Sequence, residues 1–132
     1  GLLDRGSISI ADRELVILRS CALCGAASAW GVHAAIFADQ AGFNEAQVTD
    51  SCASAVSVSL WSDSQQRLLA LVDELHQHQK VSADLWQSLN EHYSAEQLVE
   101  LVMLAGLYHA VSFVVNAFEV EREAFAPRLP RR

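Results

Sequence analysis

The residues that could do chemistry lie close together, between positions 14 and 33 of the sequence. Cys21 and Cys24 form a C-x-x-C pair, Glu14 comes before them, and His33 comes after them. A C-x-x-C pair is the spacing of redox dithiols and of half a zinc site, whereas a glutamate beside a histidine can transfer protons. Which chemistry is available depends on the elements that position these side chains.

The two cysteines are expected in the last turn of a helix, inside the apolar run "LVILRSCALCG". A reactive dithiol usually lies at a helix N-terminus, whereas the C-terminal end of a helix and apolar surroundings both raise the pKa of a thiol. We therefore interpret Cys21 and Cys24 as small core residues. A zinc site is less favoured still, because no second C-x-x-C or H-x-x-x-H follows at ligand spacing. We predict neither a metal nor a cofactor.

His33 is the stronger candidate for chemistry. It shares one helical face with Trp30 and Phe37, so its imidazole points into apolar company. Such a histidine is either a core group with one backbone partner or a desolvated imidazole that is paired with a carboxylate and can transfer protons. Glu14 could supply that carboxylate, because it lies in the preceding helix next to apolar neighbours.

The other four histidines divide by their surroundings. His76 and His78 are two apart on a helix, so they point to different faces and cannot hold one ion together. We expect both, together with His92, on the solvated surface. His109 follows Tyr108 in a charge-free stretch, and it either lines the same cavity as His33 or is a hydrogen-bonded core group. The sequence contains no G-x-S-x-G, P-loop or G-x-G-x-x-G motif.

The elements that carry these residues are predicted to be helices, because apolar residues recur at intervals of three and four and no strand alternation is present. Capping boxes predict three helix starts, and Ser82 is predicted to cap a further short helix. We predict an all-α, compact bundle of about six helices. The three boxes are Asn44–Gln47, Ser62–Gln65 and Ser94–Gln97, and the last of them opens a helix from Ala95 to about Phe118. Two further helices are predicted from about Ala11 to Cys24 and from about Ser28 to Gly42.

Length and composition limit the function classes. The 132 residues fit a single domain, residues 1–132, and the net charge is −7 with basic residues clustered only in the tail "PRLPRR". This charge argues against nucleic acid as a partner. Three cysteines at irregular spacing imply no disulfide framework and favour the reducing cytoplasm. Because the sequence begins at Gly1 without a methionine or a signal peptide, we expect a truncated or short chain.

Two charge-free stretches, residues 21–38 and 101–118, approach the length of a membrane span. Both contain polar residues, and neither has a flanking excess of lysine and arginine. We therefore interpret them as helices buried in the core or at a subunit interface and predict no membrane association. The last helix is apolar on nearly every face, which indicates a homo-oligomer.

Four stretches in register resemble the carboxymuconolactone decarboxylase-like family, which includes the alkylhydroperoxidase D (AhpD) type. The resemblance runs from about Ile10 to Phe118 and implies an AhpD-like helical fold. Family members commonly form trimers or hexamers, and they commonly carry additional N-terminal helices, which we expect this chain to lack. The matching stretches are "ADRELVILR", "WGVHAAIFADQAGF", "LLALVDELHQHQKVSADLWQSL" and "QLVELVMLAGLYHAVSFVVNAF".

The peroxidase branch of this family uses a glutamate, a C-x-x-C pair and a histidine at fixed spacing. Glu14 and His33 match the glutamate and the histidine, which are nineteen residues apart. The positions that correspond to the two redox cysteines hold Ala26 and Ala29. The resemblance therefore implies that the dithiol mechanism is lost while the Glu14–His33 pair is retained.

The resemblance implies an enzyme that acts on a small organic acid or lactone by proton transfer. His33 would protonate carbon, Glu14 would hold its tautomer, and Tyr108 or His109 would provide a second hydrogen-bond donor. Trp30, Tyr108 and His109 are the candidate substrate-pocket residues. Two alternatives stay open: a peroxidase that uses off-register cysteines, and a non-catalytic oligomeric protein that binds a small molecule.

Overall fold

The computed structural model describes residues 8–130, and the predictions about Gly1 and the final arginines of the basic tail lie outside this range. Within it the chain forms six helices and no strand, so the all-α bundle is confirmed. A short 3-10 turn, Val58–Leu60, separates the third helix from the fourth. The helices are α1 (Ile10–Leu23), α2 (Ala27–Ala41), α3 (Glu45–Asp50), α4 (Asp63–His78), α5 (Ala83–His92) and α6 (Ala95–Ala117).

Helix α1 is the centre of the bundle, because it packs against α2, α4 and α6 at once. Residues 14–22 of α1 are all buried, including the charged side chains of Glu14 and Arg19. Buried charges require partners. Arg19 finds them in Asp73, whose carboxylate lies 2.7 Å from its Nε, and in three backbone carbonyls of the loop after α3. Arg19 therefore ties α1 to α4. The partners of the buried Glu14 are described with the candidate active site.

The helix starts follow the predicted caps with one exception. All three capping boxes have both of their reciprocal hydrogen bonds. Ser82 occupies the N-cap position of α5, but its side chain makes no capping bond. Its hydroxyl instead donates to the carboxylate of Glu74 at 3.3 Å, so Ser82 joins α5 to α4 and the predicted cap is wrong in detail.

Helix α6 has one buried face and one exposed apolar face. The buried face packs on α1, and the exposed face is a stripe of large apolar side chains. By length and composition alone, α6 is a helix that could cross a membrane. The exposed stripe, which we call the α6 stripe, consists of Val99, Met103, Leu107, Val114 and Phe118.

The segment after α6 folds back onto α2 and completes the bundle near His33. Its close approach depends on Gly31, because a Cβ at this position would lie 2.9 Å from the carbonyl oxygen of Pro127 and 3.0 Å from the Cβ of Ala126. Arg122 braces the turn by donating from Nη1 to the carbonyl of Ala126 at 2.6 Å. This segment supplies one wall of the cavity described next.

Candidate active site

Glu14 and His33 form the predicted pair. The Nδ1 of His33 lies 2.6 Å from the Oε1 of Glu14, which joins the second turn of α1 to the middle of α2. Glu14 is 1% exposed, and its second oxygen accepts a hydrogen bond from the Nε of Arg13 at 3.1 Å. Both carboxylate oxygens are therefore occupied by nitrogen donors, which compensates for the burial of the negative charge.

The carboxylate sets the tautomer of His33. Because an ionised carboxylate only accepts hydrogen bonds, the proton of the neutral imidazole must be on Nδ1. The Nε2 of the ring is then a bare acceptor, and the hydroxyl of Tyr108 donates to it across 3.2 Å. Hydrogen bonds therefore link three groups in a row: the buried carboxylate of Glu14, the imidazole of His33 and the hydroxyl of Tyr108.

The rings of Tyr108 and His33 meet edge to face, with ring centroids 5.2 Å apart, while Phe37 stacks on the imidazole at 5.3 Å. Burial raises the pKa of Tyr108, and the negative charge of Glu14 raises it further. The tyrosine therefore stays protonated and remains a hydrogen-bond donor at neutral pH. Two aromatic contacts and one hydrogen bond on each ring nitrogen hold the imidazole in one orientation.

A cavity of about 290 Å³ opens beside this pair, between α2, α6 and the segment after α6. His33 and Tyr108 lie in its wall, and most of the other lining side chains are apolar. Glu121 and Glu123 contribute the charged part of the lining, and both are exposed. The cavity therefore presents the basic nitrogen of His33 and the hydroxyls of Tyr108 and Ser28 within a mostly apolar surface that has an acidic rim.

The two other candidate pocket residues lie elsewhere. Trp30 is 1% exposed and donates from its indole Nε1 to the hydroxyl of Ser51 at 3.1 Å, so it is a core residue and does not line the cavity. His109 is turned away from His33 and lines a different cavity, of about 410 Å³, between α4 and α6. Of the three predicted pocket residues, the structure brings only Tyr108 to the Glu14–His33 pair.

The cysteine environments agree with the interpretation of Cys21 as a core residue. Cys21 is fully buried, and burial raises the pKa of its thiol to about 12, although a hydrogen bond with Ser112 opposes this effect. Cys52 is also buried. All three cysteines are free thiols. Cys21 is therefore a neutral thiol at physiological pH and a poor nucleophile.

Cys24 belongs to a cluster that the sequence did not predict. Its sulfur, one ring nitrogen of His76 and one ring nitrogen of His109 lie within 4.8 Å of one another, and all three residues are partly buried. The expectation of a solvated His76 is therefore wrong, while His78 and His92 are exposed as predicted. The argument from spacing compared His76 only with His78 on its own helix, whereas its partners come from two other helices.

Another cavity, of about 790 Å³, lies around the loop after α3, and no histidine or tyrosine lines it. Two carboxylates, Glu45 and Asp50, line it, but it lacks the paired histidine and tyrosine that distinguish the cavity at His33. We assign the candidate active site to the smaller cavity for that reason.

Comparison with known proteins supports the fold. No family model matches the chain, and no curated protein is significantly similar to it in sequence. A solved structure from Agrobacterium tumefaciens, described as a protein of unknown function and a proposed antioxidant defence protein AhpD, superimposes with a TM-score of 0.79. The match covers 92% of this chain and 84% of that chain at 17% sequence identity. The chain therefore has an AhpD-like fold, as the sequence resemblance implied.

Proposed function

We propose that this protein is an enzyme that transfers protons to and from a small lactone or organic acid in the cavity beside His33. The observation that carries the proposal is the chain of contacts from buried Glu14 through His33 to Tyr108, which ends at that cavity. A histidine oriented by a carboxylate is a common general acid–base arrangement. In this site His33 and Tyr108 would touch the substrate, and Glu14 would act through His33.

The reaction that this arrangement suits best is the decarboxylation of a carboxylated lactone. The bond between the carboxylate and the ring carbon breaks, CO2 leaves, and the electron pair moves onto the lactone carbonyl as an enolate. The Tyr108 hydroxyl donates a hydrogen bond to the developing enolate oxygen. The imidazolium form of His33 then gives its Nε2 proton to carbon and regains a proton from water, while Glu14 stabilises its positive charge.

The cavity favours a small and mostly apolar substrate. Its volume of about 290 Å³ is at the lower end of the range for small-molecule sites. Because Glu121 and Glu123 lie in the lining, a substrate with several negative charges would be repelled. We therefore propose a lactone or 3-oxo acid that carries at most one carboxylate.

The test is a panel of carboxylated γ-lactones and 3-oxo acids, followed by NMR in D2O. We expect loss of CO2 or exchange of a proton next to the carbonyl for deuterium, and we expect both to disappear in His33→Gln. The matched control is His78→Gln, which replaces an exposed histidine on α4. Exchange that is equal in the wild type and in His33→Gln would contradict the proposal.

An antioxidant function is the second candidate, because the solved structure with the same fold is described as a proposed antioxidant defence protein. It would require one of the three free thiols to react with peroxide. The raised pKa of Cys21 counts against that residue, which leaves Cys24 as the accessible thiol. Peroxide consumption that is lost in Cys24→Ser and retained in His33→Gln would support this candidate over the first.

A non-catalytic binding protein is the third candidate, since the same cavity could hold a ligand without converting it. Binding of a panel lactone that is equally tight in the wild type and in His33→Gln, with no turnover in either protein, would favour this candidate. Tyr108→Phe provides a second variant of the cavity wall, so that the conclusion does not depend on one substitution.

We further propose that the α6 stripe is covered by a second copy of the chain in a cytoplasmic homo-oligomer. The stripe runs the whole length of α6 at intervals of four and seven residues, so it can pack on the same stripe of a symmetry-related copy. We expect light scattering after gel filtration to give a multiple of 14.4 kDa, and Met103→Glu to give the monomer. A monomeric wild type, or one that requires detergent to remain in solution, would contradict this assignment.

A further inference from the structure

Three side chains that the proposed reaction does not use converge where three helices meet. Cys24 is the C-cap of α1, His76 lies in the last turn of α4, and His109 lies in the middle of α6. The sulfur and one ring nitrogen from each histidine lie within 4.8 Å of one another. Thiolate sulfur and imidazole nitrogen are the ligands that Zn²⁺ prefers in proteins, so the chemistry of this cluster is that of a metal site.

His109 is held in the orientation that a ligand requires. Its Nδ1 donates a hydrogen bond to the carbonyl of Ala105 at 2.7 Å, so the neutral ring presents a bare Nε2. That nitrogen lies 2.9 Å from the Nδ1 of His76. A ligating histidine usually donates its other N–H to a backbone carbonyl or a carboxylate in the same way, which fixes its tautomer and ring direction.

The backbone of Cys24 is also fixed. Its N–H bonds the carbonyl of Ser20 at 3.2 Å, and its own carbonyl accepts a hydrogen bond from the side chain of Asn116 at 2.8 Å. The second bond ties the end of α1 to α6, the helix that carries His109. The position of the thiol is therefore determined by the same two helices that position one of the imidazoles.

We propose that Cys24, His76 and His109 bind one Zn²⁺ ion. Tetrahedral zinc with bonds of about 2.0–2.1 Å to nitrogen and 2.3 Å to sulfur places two ligand nitrogens about 3.4 Å apart and sulfur about 3.6 Å from each nitrogen. The imidazole nitrogens must therefore separate slightly from their 2.9 Å contact, and the sulfur must move inward from at most 4.8 Å.

Binding changes protons but not oxidation states. The thiol of Cys24 loses its proton to solvent as the Zn–S bond forms. The ring proton of His76 moves from Nδ1, where it donates to His109, to Nε2, which frees Nδ1 for the metal. No electron is transferred, and no co-reactant is required.

Three protein ligands leave the fourth tetrahedral position open, as in catalytic zinc sites. His76 and His109 line the cavity of about 410 Å³ between α4 and α6, whose other walls include Leu75, Val102 and Phe113. The open position would therefore accept water or a small ligand with one donor atom and an apolar body. This site is separate from the cavity beside His33 and does not depend on the proposed reaction there.

The test is the titration of EDTA-treated protein with Co²⁺, which is a spectroscopic substitute for zinc, followed by displacement with Zn²⁺ in competition with a coloured chelator. We expect one equivalent of cobalt to give a thiolate-to-cobalt charge-transfer band and the intense visible bands of a tetrahedral ion. Cys24→Ser should remove the charge-transfer band, and both Cys24→Ser and His76→Gln should weaken zinc binding at least about 100-fold. His78→Gln, which replaces the exposed histidine on the same helix, should leave the spectrum and the affinity unchanged.

Three results would overturn the site: no stoichiometric cobalt or zinc binding by the wild type, a charge-transfer band that survives in Cys24→Ser, or equal weakening by His78→Gln. Should Cys24→Ser fail to fold, His76→Gln gives the same answer, because His76 is partly exposed near the end of α4. His33→Gln separates this inference from the proposed function, since it should abolish proton transfer and leave cobalt binding intact.

Discussion

The site at His33 and the cluster at His109 both place a histidine between helices, but they surround it with different partners. His33 has a carboxylate on one nitrogen and a hydroxyl on the other, at 2.6 and 3.2 Å. His109 has a backbone carbonyl on one nitrogen and a second imidazole on the other, with a thiol nearby. The first arrangement alternates acceptors and donors, so a proton can move along it. The second brings a sulfur and two ring nitrogens around one point, and these atoms can bind a cation once the protons of Cys24 and His76 have moved.

The two regions also differ in how a buried charge is balanced. Glu14 is 1% exposed, and its charge is balanced by Arg13 and His33, so it can stabilise an imidazolium without the screening of water. The cluster at His109 has no carboxylate among its three groups. A cation brought there would be neutralised by the thiolate of Cys24 instead. The predictions below test whether the two regions can be disabled independently.

The largest effect is expected for His33→Gln. Removal of a general acid–base group lowers the rate by about 10²–10⁴-fold, because no other group in the cavity has a basic nitrogen. Turnover of a panel lactone measures this effect, and cobalt binding by the same variant should be unchanged. A variant that loses both properties would mean that the two regions are coupled.

A second prediction concerns Cys21, which lies between the two regions on α1. Because burial raises the pKa of its thiol to about 12, the folded protein holds the proton after the unfolded chain has released it. This contribution to stability is complete below about pH 9 and is lost between pH 9 and 12, at about 1.4 kcal/mol per pH unit.

Urea unfolding of the wild type and of Cys21→Ala at several pH values measures this loss. We expect a shallower decline with rising pH in the variant, while Tyr93, whose pKa is also raised to about 12 by burial and by Asp12, contributes equally to both proteins. If the free energy of unfolding falls equally with pH in both proteins, the thiol of Cys21 is not held protonated by the fold. That result would support a peroxidase that uses this cysteine.

A smaller effect is expected for Tyr108→Phe, about 10²-fold in turnover, which is typical of the loss of one donor to a developing oxyanion. Because the pKa of Tyr108 is raised, its hydroxyl stays protonated above its ordinary value of 10.0. The rate advantage of the wild type over Tyr108→Phe should therefore persist at pH 10. An advantage that disappears below that pH would contradict the assigned role of the hydroxyl.

The smallest effect is expected for Trp30→Phe, which removes the indole bond to Ser51 and leaves a small void. We expect a loss of about 1–3 kcal/mol in the free energy of unfolding. Turnover and cobalt binding should both be unchanged, because Trp30 lines neither cavity. A loss of turnover without a loss of cobalt binding would indicate that Trp30 does contribute to the substrate pocket.

Local sequence patterns predicted the helical fold and most helix ends, and, with the family resemblance, the pairing of Glu14 with His33. The capping boxes and Gly42 identify helix ends because they act within one turn of the chain. The spacing of Glu14 and His33, taken with the family resemblance, predicted their pairing. These features depend on neighbouring residues or on two helices joined by a short turn.

The remaining features depend on how distant helices are rotated against each other, which periodicity does not determine. Trp30 and His33 are three residues apart on α2, yet one enters the core toward Ser51 and the other faces Glu14. His76 was predicted as surface because no partner is visible within its own helix. Its partners, Cys24 and His109, become neighbours only when α1, α4 and α6 pack together.

The most direct test of the central claim is the tautomer of His33, read from its ¹⁵N chemical shifts in the wild type and in Glu14→Gln at a pH where the ring is neutral. A glutamine has one acceptor oxygen, and the charged donor Arg13 should take it, which turns the amide N–H₂ toward Nδ1. We therefore predict the Nδ1–H tautomer in the wild type and the Nε2–H tautomer in the variant. The Nε2–H tautomer in the wild type, or the same tautomer in both proteins, would contradict the claim that Glu14 prepares His33 for proton transfer.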